Sequence, residues 1–220
     1  DTALNLEAMH PDIMVVRHSL SGIPEMLSQF IECPIINAGD GYHEHPTQAL
    51  LDLQTIREAK GTLMGLNVVI VGDIAHSRVV RSNIYAMKTM GMHVKLIGPP
   101  TMIPLGIEKM GVSVDYDLEG AIHDADVIMM LRLQKERQSG YLLSSIREYS
   151  NLYCLTSKFL EKAKEDVLIF HPGPVNRGIE ISLDVMESER SLILTQVTNG
   201  VAVRMALMYL LLGGKNDNSN

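Results

Sequence analysis

The chain is expected to be an α/β protein: a parallel sheet flanked by helices, Rossmann-like, together with part of a second α/β unit. Two observations predict this. Short, wholly aliphatic runs such as Val68 to Val71 and Val127 to Leu131 recur with helix-like stretches between them. Strands buried on both faces read this way, and alternating βα units build parallel sheets. Several of these runs also end in polar residues that carry chemistry, and strand ends are where α/β sheets hold ligands.

Taken in order, residues 1–9 read as a helix already under way, with Ala3, Leu4, Leu6 and Met9 apolar and no initiator Met. The chain is therefore expected to be the C-terminal portion of something longer. Ile13 to Val16 is a β-branched run ending at Arg17-His18, and Pro34 to Ile36 is another, ending in a turn-rich Asn37 to Gly41. A helix is expected from Pro46, tolerated in the first turn, to about Lys60, with Leu50, Leu53 and Ile56 as its apolar stripe. The strand Asn67 to Val71 leads into a loop, Gly72 to Arg78, and a helix to about Met90. A strand from His93 to Ile97 ends at Gly98-Pro-Pro100. Beyond it are expected a helix near Ile107, a short strand at Val112 to Val114, a helix from Leu118 to His123 and the strand Val127 to Leu131. A helix from Ser157 to Lys164, capped by Thr156, precedes the strand Val167 to Phe170. The last helix is expected from Gly200 to Leu212, capped by Thr198 or Asn199 and stopped by Gly213-Gly214, with a polar tail after it. Residues 66 to 170 read as one domain, and residues 1 to 45 as the end of a different one.

Composition limits the function. With 46% hydrophobic residues, 5% aromatics, no Trp and 14 Met, the core is aliphatic with Met as gap filler. A net charge of −7 argues against a nucleic-acid partner. It leaves room for an anionic small substrate, because local arginines reverse the field inside a cleft. Cys33 and Cys154 are too few for a disulfide scaffold and read as buried thiols of a cytosolic protein. No signal-peptide pattern is visible. The most apolar run, Val201 to Leu212, is too short to span a bilayer and carries Arg204. A cytoplasmic chain with no membrane contact is expected.

Each candidate site has a plain alternative. The strand-to-loop passage Val68 to Arg78 has the layout of a phosphate-binding turn but lacks G-x-G-x-x-G, and the next strand ends without an acid for a ribose. A dinucleotide is disfavoured. Arg78 is either a solvated first-turn residue or a carboxylate ligand. His45, ahead of a helix, either caps it or donates to a carbonyl oxygen, with Gln48 nearby and the helix N-terminus adding positive potential. His43 with His45 forms no convincing metal pair, and no metal or other cofactor is expected. Arg17 is either a surface strand end or an oxyanion ligand. Arg132 and Gln134, at i and i+2 on extended chain, point the same way and form a fork for a carboxylate. Lys135, Glu136 and Arg137 read as a solvated run, with Glu136 and Arg137 alternatively as internal braces for the loop. His171-Pro-Gly-Pro174 presents its backbone rigidly. No nucleophile turn, reactive thiol setting or paired acids are seen, so positioning and electrostatics carry the chemistry.

In this order, Val16-Arg-His18, Asn37 to Gly41, His45-Pro-Thr-Gln-Ala-Leu-Leu-Asp-Leu53, Gly72 to Arg78, Leu131-Arg-Leu-Gln-Lys-Glu-Arg137, His171 to Pro174 and Val197-Thr-Asn-Gly200 resemble the catalytic chains of the aspartate carbamoyltransferase family. The resemblance spans essentially the whole chain. It implies carbamoyl transfer from carbamoyl phosphate to L-aspartate in pyrimidine biosynthesis, by a homotrimer, with regulatory or dihydroorotase chains open as partners. It implies that Arg17, His45 and Gln48 bind carbamoyl phosphate, with Arg17 and His45 polarising its carbonyl. Arg78, Arg132 and Gln134 would hold aspartate, and Gly173 and Pro174 complete the carbamoyl pocket. Residues 1–45 would then belong to the carbamoyl phosphate domain, 46–196 to the aspartate domain, and 197–220 to a helix and tail packing toward the former. The family's Ser-Thr-Arg-Thr loop and its lysine-bearing loop are absent, so the chain alone is expected to be inactive or nearly so. Two further readings stay open: a carbamoyltransferase for another amino acid, and a non-catalytic homologue acting as an assembly or allosteric partner.

Overall fold

The computed structural model describes residues 1–134 and 145–213. Two parallel sheets organise it. The smaller comes after α1 (Thr2–Glu7) and consists of β1 (Met14–His18) and β2 (Ile35–Asp40), joined through α2 (Ile23–Leu27). From there α3 (Pro46–Lys60) leads to the larger sheet: β3 (Asn67–Val71), α4 (Arg78–Thr89), β4 (His93–Ile97), β5 (Ser113–Asp115), α5 (Leu118–Ile122) and β6 (Val127–Met130). The chain continues through α6 (Ile146–Tyr153), α7 (Ser157–Leu160), β7 (Leu168–Phe170), α8 (Leu183–Met186) and α9 (Ile193–Gly213).

The five-stranded sheet runs β5-β4-β3-β6-β7, all parallel. The chain moves outward from β3 in one direction, then returns to lay β6 on its other side. Loops leaving β3 and β6 therefore diverge, and the crevice at this switch point is where such sheets receive ligands. Alternate strand residues feed two cores, as the period of two requires. Val69, Val71, Ile128, Met130 and Ile169 face one, and Val68, Ile70, Val127, Met129 and Phe170 face the other.

Several expected elements differ. Asn37 to Asp40 continue β2 instead of forming a loop; pairing with β1 overrides the poor strand propensity of Gly and Asp. Leu50 is 41% exposed and lies off the buried face of α3, which is wide because α4 and α9 both pack on it and includes Gln48, Leu51, Asp52 and Ile56. Between β4 and β5 there are two 3₁₀ turns, Pro100–Met102 and Ile107–Met110, in place of the one expected helix. α7 stops at Leu160, and Thr156 makes no side-chain capping bond. α9 starts at Ile193, so Thr198 and Asn199 lie inside it: Thr198 Oγ1 donates to Leu194 O and Asn199 Nδ2 to Glu58 Oε2. Gly200 allows this helix to approach α3, since a Cβ there would stand 3.1 Å from Leu51 Cδ2. Cys154 is buried, as expected, but Cys33 is only half-buried. On α9, Val201, Met205 and Leu212 are exposed. The polar tail lies outside the described residues. Among the described residues, no helix is long and apolar enough to cross a membrane.

One local device is directly testable. Asp117 caps α5, accepting from the backbone N–H of Glu119 and Gly120 at 3.1 and 3.2 Å. Asp117→Ala is expected to cost about 1 kcal/mol, read as a shift in the urea midpoint at unchanged m.

Candidate active site

A cavity of about 270 Å³ opens at the switch point. Arg17, His45, Gln48, Arg78, Arg132, Gln134, Gly173 and Pro174, the eight residues singled out in the sequence, all line it, joined by Ser77, Val79 and Pro172.

Each arrives by a different route. Arg17 sits near the end of β1, exposed, with Nη1 donating to Ala38 O on β2 at 3.4 Å. His45 is the N-cap residue of α3, and its N–H donates to Ser82 Oγ on α4 at 2.8 Å. Gln48 lies one turn inward and is buried. Arg78 opens α4 and is 6% exposed; the solvated alternative is therefore excluded by burial. Gly39 makes room for it: with φ at +113°, a Cβ there would stand 2.9 Å from both Cδ and Nη1 of Arg78. The preceding loop is held by His76 Nδ1 at 2.7 Å from the buried Asp73 Oδ1.

Arg132 and Gln134 come after β6. Leu133 between them turns into the core, 1% exposed, while its neighbours face the cavity. Lys135, Glu136 and Arg137 lie outside the described residues. Gly173 and Pro174, joined by a cis peptide, come after β7. Their wall is fastened by His171, whose Nδ1 accepts from Gly173 N–H at 2.9 Å.

The fasteners behind these residues escape sequence reasoning. Glu180 is wholly buried, and its carboxylate accepts from Leu133 N–H at 2.8 Å and from the Asn176 N–H and side-chain amide at 2.7 and 2.6 Å. His171 Nε2 stands 3.4 Å from Oε2 of the same carboxylate. One carboxylate thus ties the Arg132–Gln134 segment to the His171–Pro174 segment. Asp52, also wholly buried, accepts from Gln48 Nε2 at 3.0 Å, Gln196 Nε2 at 2.7 Å and Asn83 Nδ2 at 2.8 Å. Only the i, i+4 spacing of Gln48 and Asp52 signals this in the sequence; Gln196 is far along the chain and carries no local sign of the contact.

The electrostatics derive from burial. Among the described residues, the lining holds three arginines and no carboxylate, a positive pocket in an acidic chain. The His45 imidazole is pushed down to about 4 by its burial first, then by Arg17, Arg204 and Arg78. It is neutral at physiological pH. Thr47 Oγ1 lies 3.4 Å from Nδ1. Asp52 is pushed up to about 6 by burial, against the pull of its three amide donors and of Arg204.

A buried carboxyl raised above its ordinary value binds its proton more tightly folded than unfolded. Its stabilising effect is complete below about pH 4 and is lost as pH rises through about 6. Asp52→Asn is neutral throughout. Its stability relative to the parent is expected to improve on going from pH 4 to 7.5, by on the order of 2 kcal/mol, in urea denaturation followed by far-UV circular dichroism. A difference that stays constant with pH would show that Asp52 carries no such cost.

The pocket suits a small polyanion: three guanidinium groups for phosphate or carboxylate oxygens, a neutral N–H donor, and a side-chain amide. Such a set polarises and positions a reacting carbonyl. Parallel α/β architecture with this pocket at its switch point defines a protein with a binding site for small anionic molecules. Comparison specifies the class. Residues 64–211 match the Asp/Orn binding domain of aspartate/ornithine carbamoyltransferase, and residues 1–58 match its carbamoyl-P binding domain. The chain is 61% identical over 216 residues to the aspartate carbamoyltransferase catalytic subunit of Syntrophus aciditrophicus, covering 98% of this chain and 70% of that one. The Desulfosudis oleivorans subunit is 56% identical over 217 residues, covering 99% and 70%. Among solved structures, aspartate transcarbamoylase from Trypanosoma cruzi in complex with N-(phosphonacetyl)-L-aspartic acid superposes with a TM-score of 0.83 at 29% identity, over 96% of this chain and 68% of that one. Ornithine carbamoyltransferase from Pyrococcus furiosus gives 0.82 at 28%, over 97% and 70%. The chain belongs to the aspartate carbamoyltransferase family, as a relative of its catalytic subunits.

Proposed function

We propose that the chain transfers the carbamoyl group of carbamoyl phosphate to the amine of L-aspartate, within pyrimidine biosynthesis in the cytoplasm. The amine nitrogen attacks the carbamoyl carbon, the carbon–oxygen bond to phosphate breaks, and the amine proton leaves with phosphate. Arg78, Arg132 and Gln134 grip the two carboxylates of aspartate. Arg17 and the neutral His45 donate to the carbonyl oxygen as charge builds on it, Gln48 takes the carbamoyl amide, and the Gly173–Pro174 backbone closes the pocket. The observation that carries this reading is the convergence of Arg78, at the start of α4 after β3, and Arg132, just after the neighbouring β6, on the cavity that also holds His45 and Gln48.

In this proposal residues 1–45 serve the carbamoyl phosphate side, 46–196 form the aspartate-binding domain, and the stretch from residue 197 packs toward the former. Support for the last point comes from Leu212, which lines a cavity together with Glu7, Pro11 and Pro34. The working assembly is a homotrimer, measurable by light scattering. Calorimetric titration with N-(phosphonacetyl)-L-aspartate, alongside phosphate release from carbamoyl phosphate plus L-aspartate by the chain with the family's Ser-Thr-Arg-Thr and lysine-bearing loops supplied, tests the function. Binding of the bisubstrate analogue, and phosphate release with aspartate but not with ornithine, are expected. Failure to bind it would overturn the assignment.

A further inference from the structure

We propose that Asp52 is a positioning residue: it fixes the Gln48 side-chain amide with its nitrogen turned inward, so that the pocket offers a carbonyl oxygen to the NH₂ of the transferred group and discriminates against acyl phosphates that carry a methyl there. The inference deepens the transferase reading above and rests on it for the identity of the group.

The argument is one of hydrogen-bond polarity. An ionised carboxylate only accepts. Asp52 Oδ1 receives both Gln48 Nε2 and Gln196 Nε2, and Oδ2 receives Asn83 Nδ2. Gln196 cannot reverse, because its Oε1 accepts the His171 backbone N–H at 2.9 Å. If Gln48 reversed, its oxygen would face a carboxylate in a fully buried site, two acceptors in contact with no proton between them. The Gln48 amide, itself 7% exposed and in the cavity lining, is left with Oε1 for a ligand. A carbamoyl NH₂ satisfies that oxygen. The methyl of acetyl phosphate, which has the same shape, leaves it buried without a donor, the arrangement by which sites reject analogues most strongly.

Two variants and one measurement on the unaltered protein test this. Asp52→Leu removes the acceptor. Asp52→Asn keeps an oxygen for Gln48 and Gln196, and Asn83 can turn its amide to accept from the new NH₂. The ratio of kcat/KM for carbamoyl phosphate to that for acetyl phosphate, with L-aspartate as acceptor, is expected to fall roughly thirtyfold in Asp52→Leu and to stay within about threefold in Asp52→Asn. A purely structural role would lower both activities together and leave the ratio unchanged, which would overturn the proposal. In the ligand-free protein, the Gln48 side-chain NH₂ protons, assigned in NMR spectra by their loss in Gln48→Met, are expected to be protected from solvent exchange. Rapid exchange would overturn the proposal even if Asp52→Leu failed to fold. If the unaltered protein releases no phosphate while the Gln48 amide is protected, the transferase reading fails and the positioning of Gln48 stands.

Discussion

Arg132→Ala is expected to raise the KM for L-aspartate by roughly one to two decades while changing that for carbamoyl phosphate by about threefold or less. A charge-assisted hydrogen bond contributes about 1.5–3 kcal/mol net, and each 1.4 kcal/mol is a factor of ten. Arg132 gives a cleaner test than Arg78, because it is half-buried just after β6, whereas Arg78 is packed against Gly39 and its removal leaves a hole. Lysine should not rescue the loss: an ammonium is a point charge and cannot reproduce the planar two-pronged contact of a guanidinium. Steady-state kinetics with each substrate varied in turn decide it. Equal effects on both substrates would mean that Arg132 does not belong to the acceptor side.

The second large effect is expected at His45. His45→Ala should lower kcat by about 10²–10³, the usual consequence of removing one preorganised donor at a developing oxyanion. Its N-cap position places the donor at the positive end of α3. Because burial and the surrounding arginines hold its ring at about 4, the imidazole works as a neutral donor. It takes up a proton only as pH falls through that value. The kcat/KM profile should therefore show no inflection from His45 between pH 5.5 and 8. His45→Gln, which restores an N–H donor, should recover part of the loss. Unchanged kcat in the alanine variant would remove His45 from the chemistry.

Much of this site is legible in the sequence because its chemistry sits where the sheet ends. Val68 to Val71 and Val127 to Met130 announce buried parallel strands by composition alone, and the polar residues just beyond each run fall at the crevice. Tertiary pairing is less legible. Asn37 to Asp40 join β2 because β1 offers hydrogen-bond partners, which no local propensity registers. Thr198, Asn199 and Gly200 look like a helix start, yet Gly200 lies inside α9 for its closeness to Leu51. Glu180 and Asp52 are single acids in ordinary surroundings. Their importance comes from amide donors that the fold brings from distant parts of the chain.

Glu180 has a mechanical consequence. Its one carboxylate clasps both the Leu133 amide, between the Arg132 and Gln134 side chains, and Asn176, just beyond Pro174. Opposite jaws of the cleft thus share a rivet. A ligand that drags one jaw loads the other through this carboxylate.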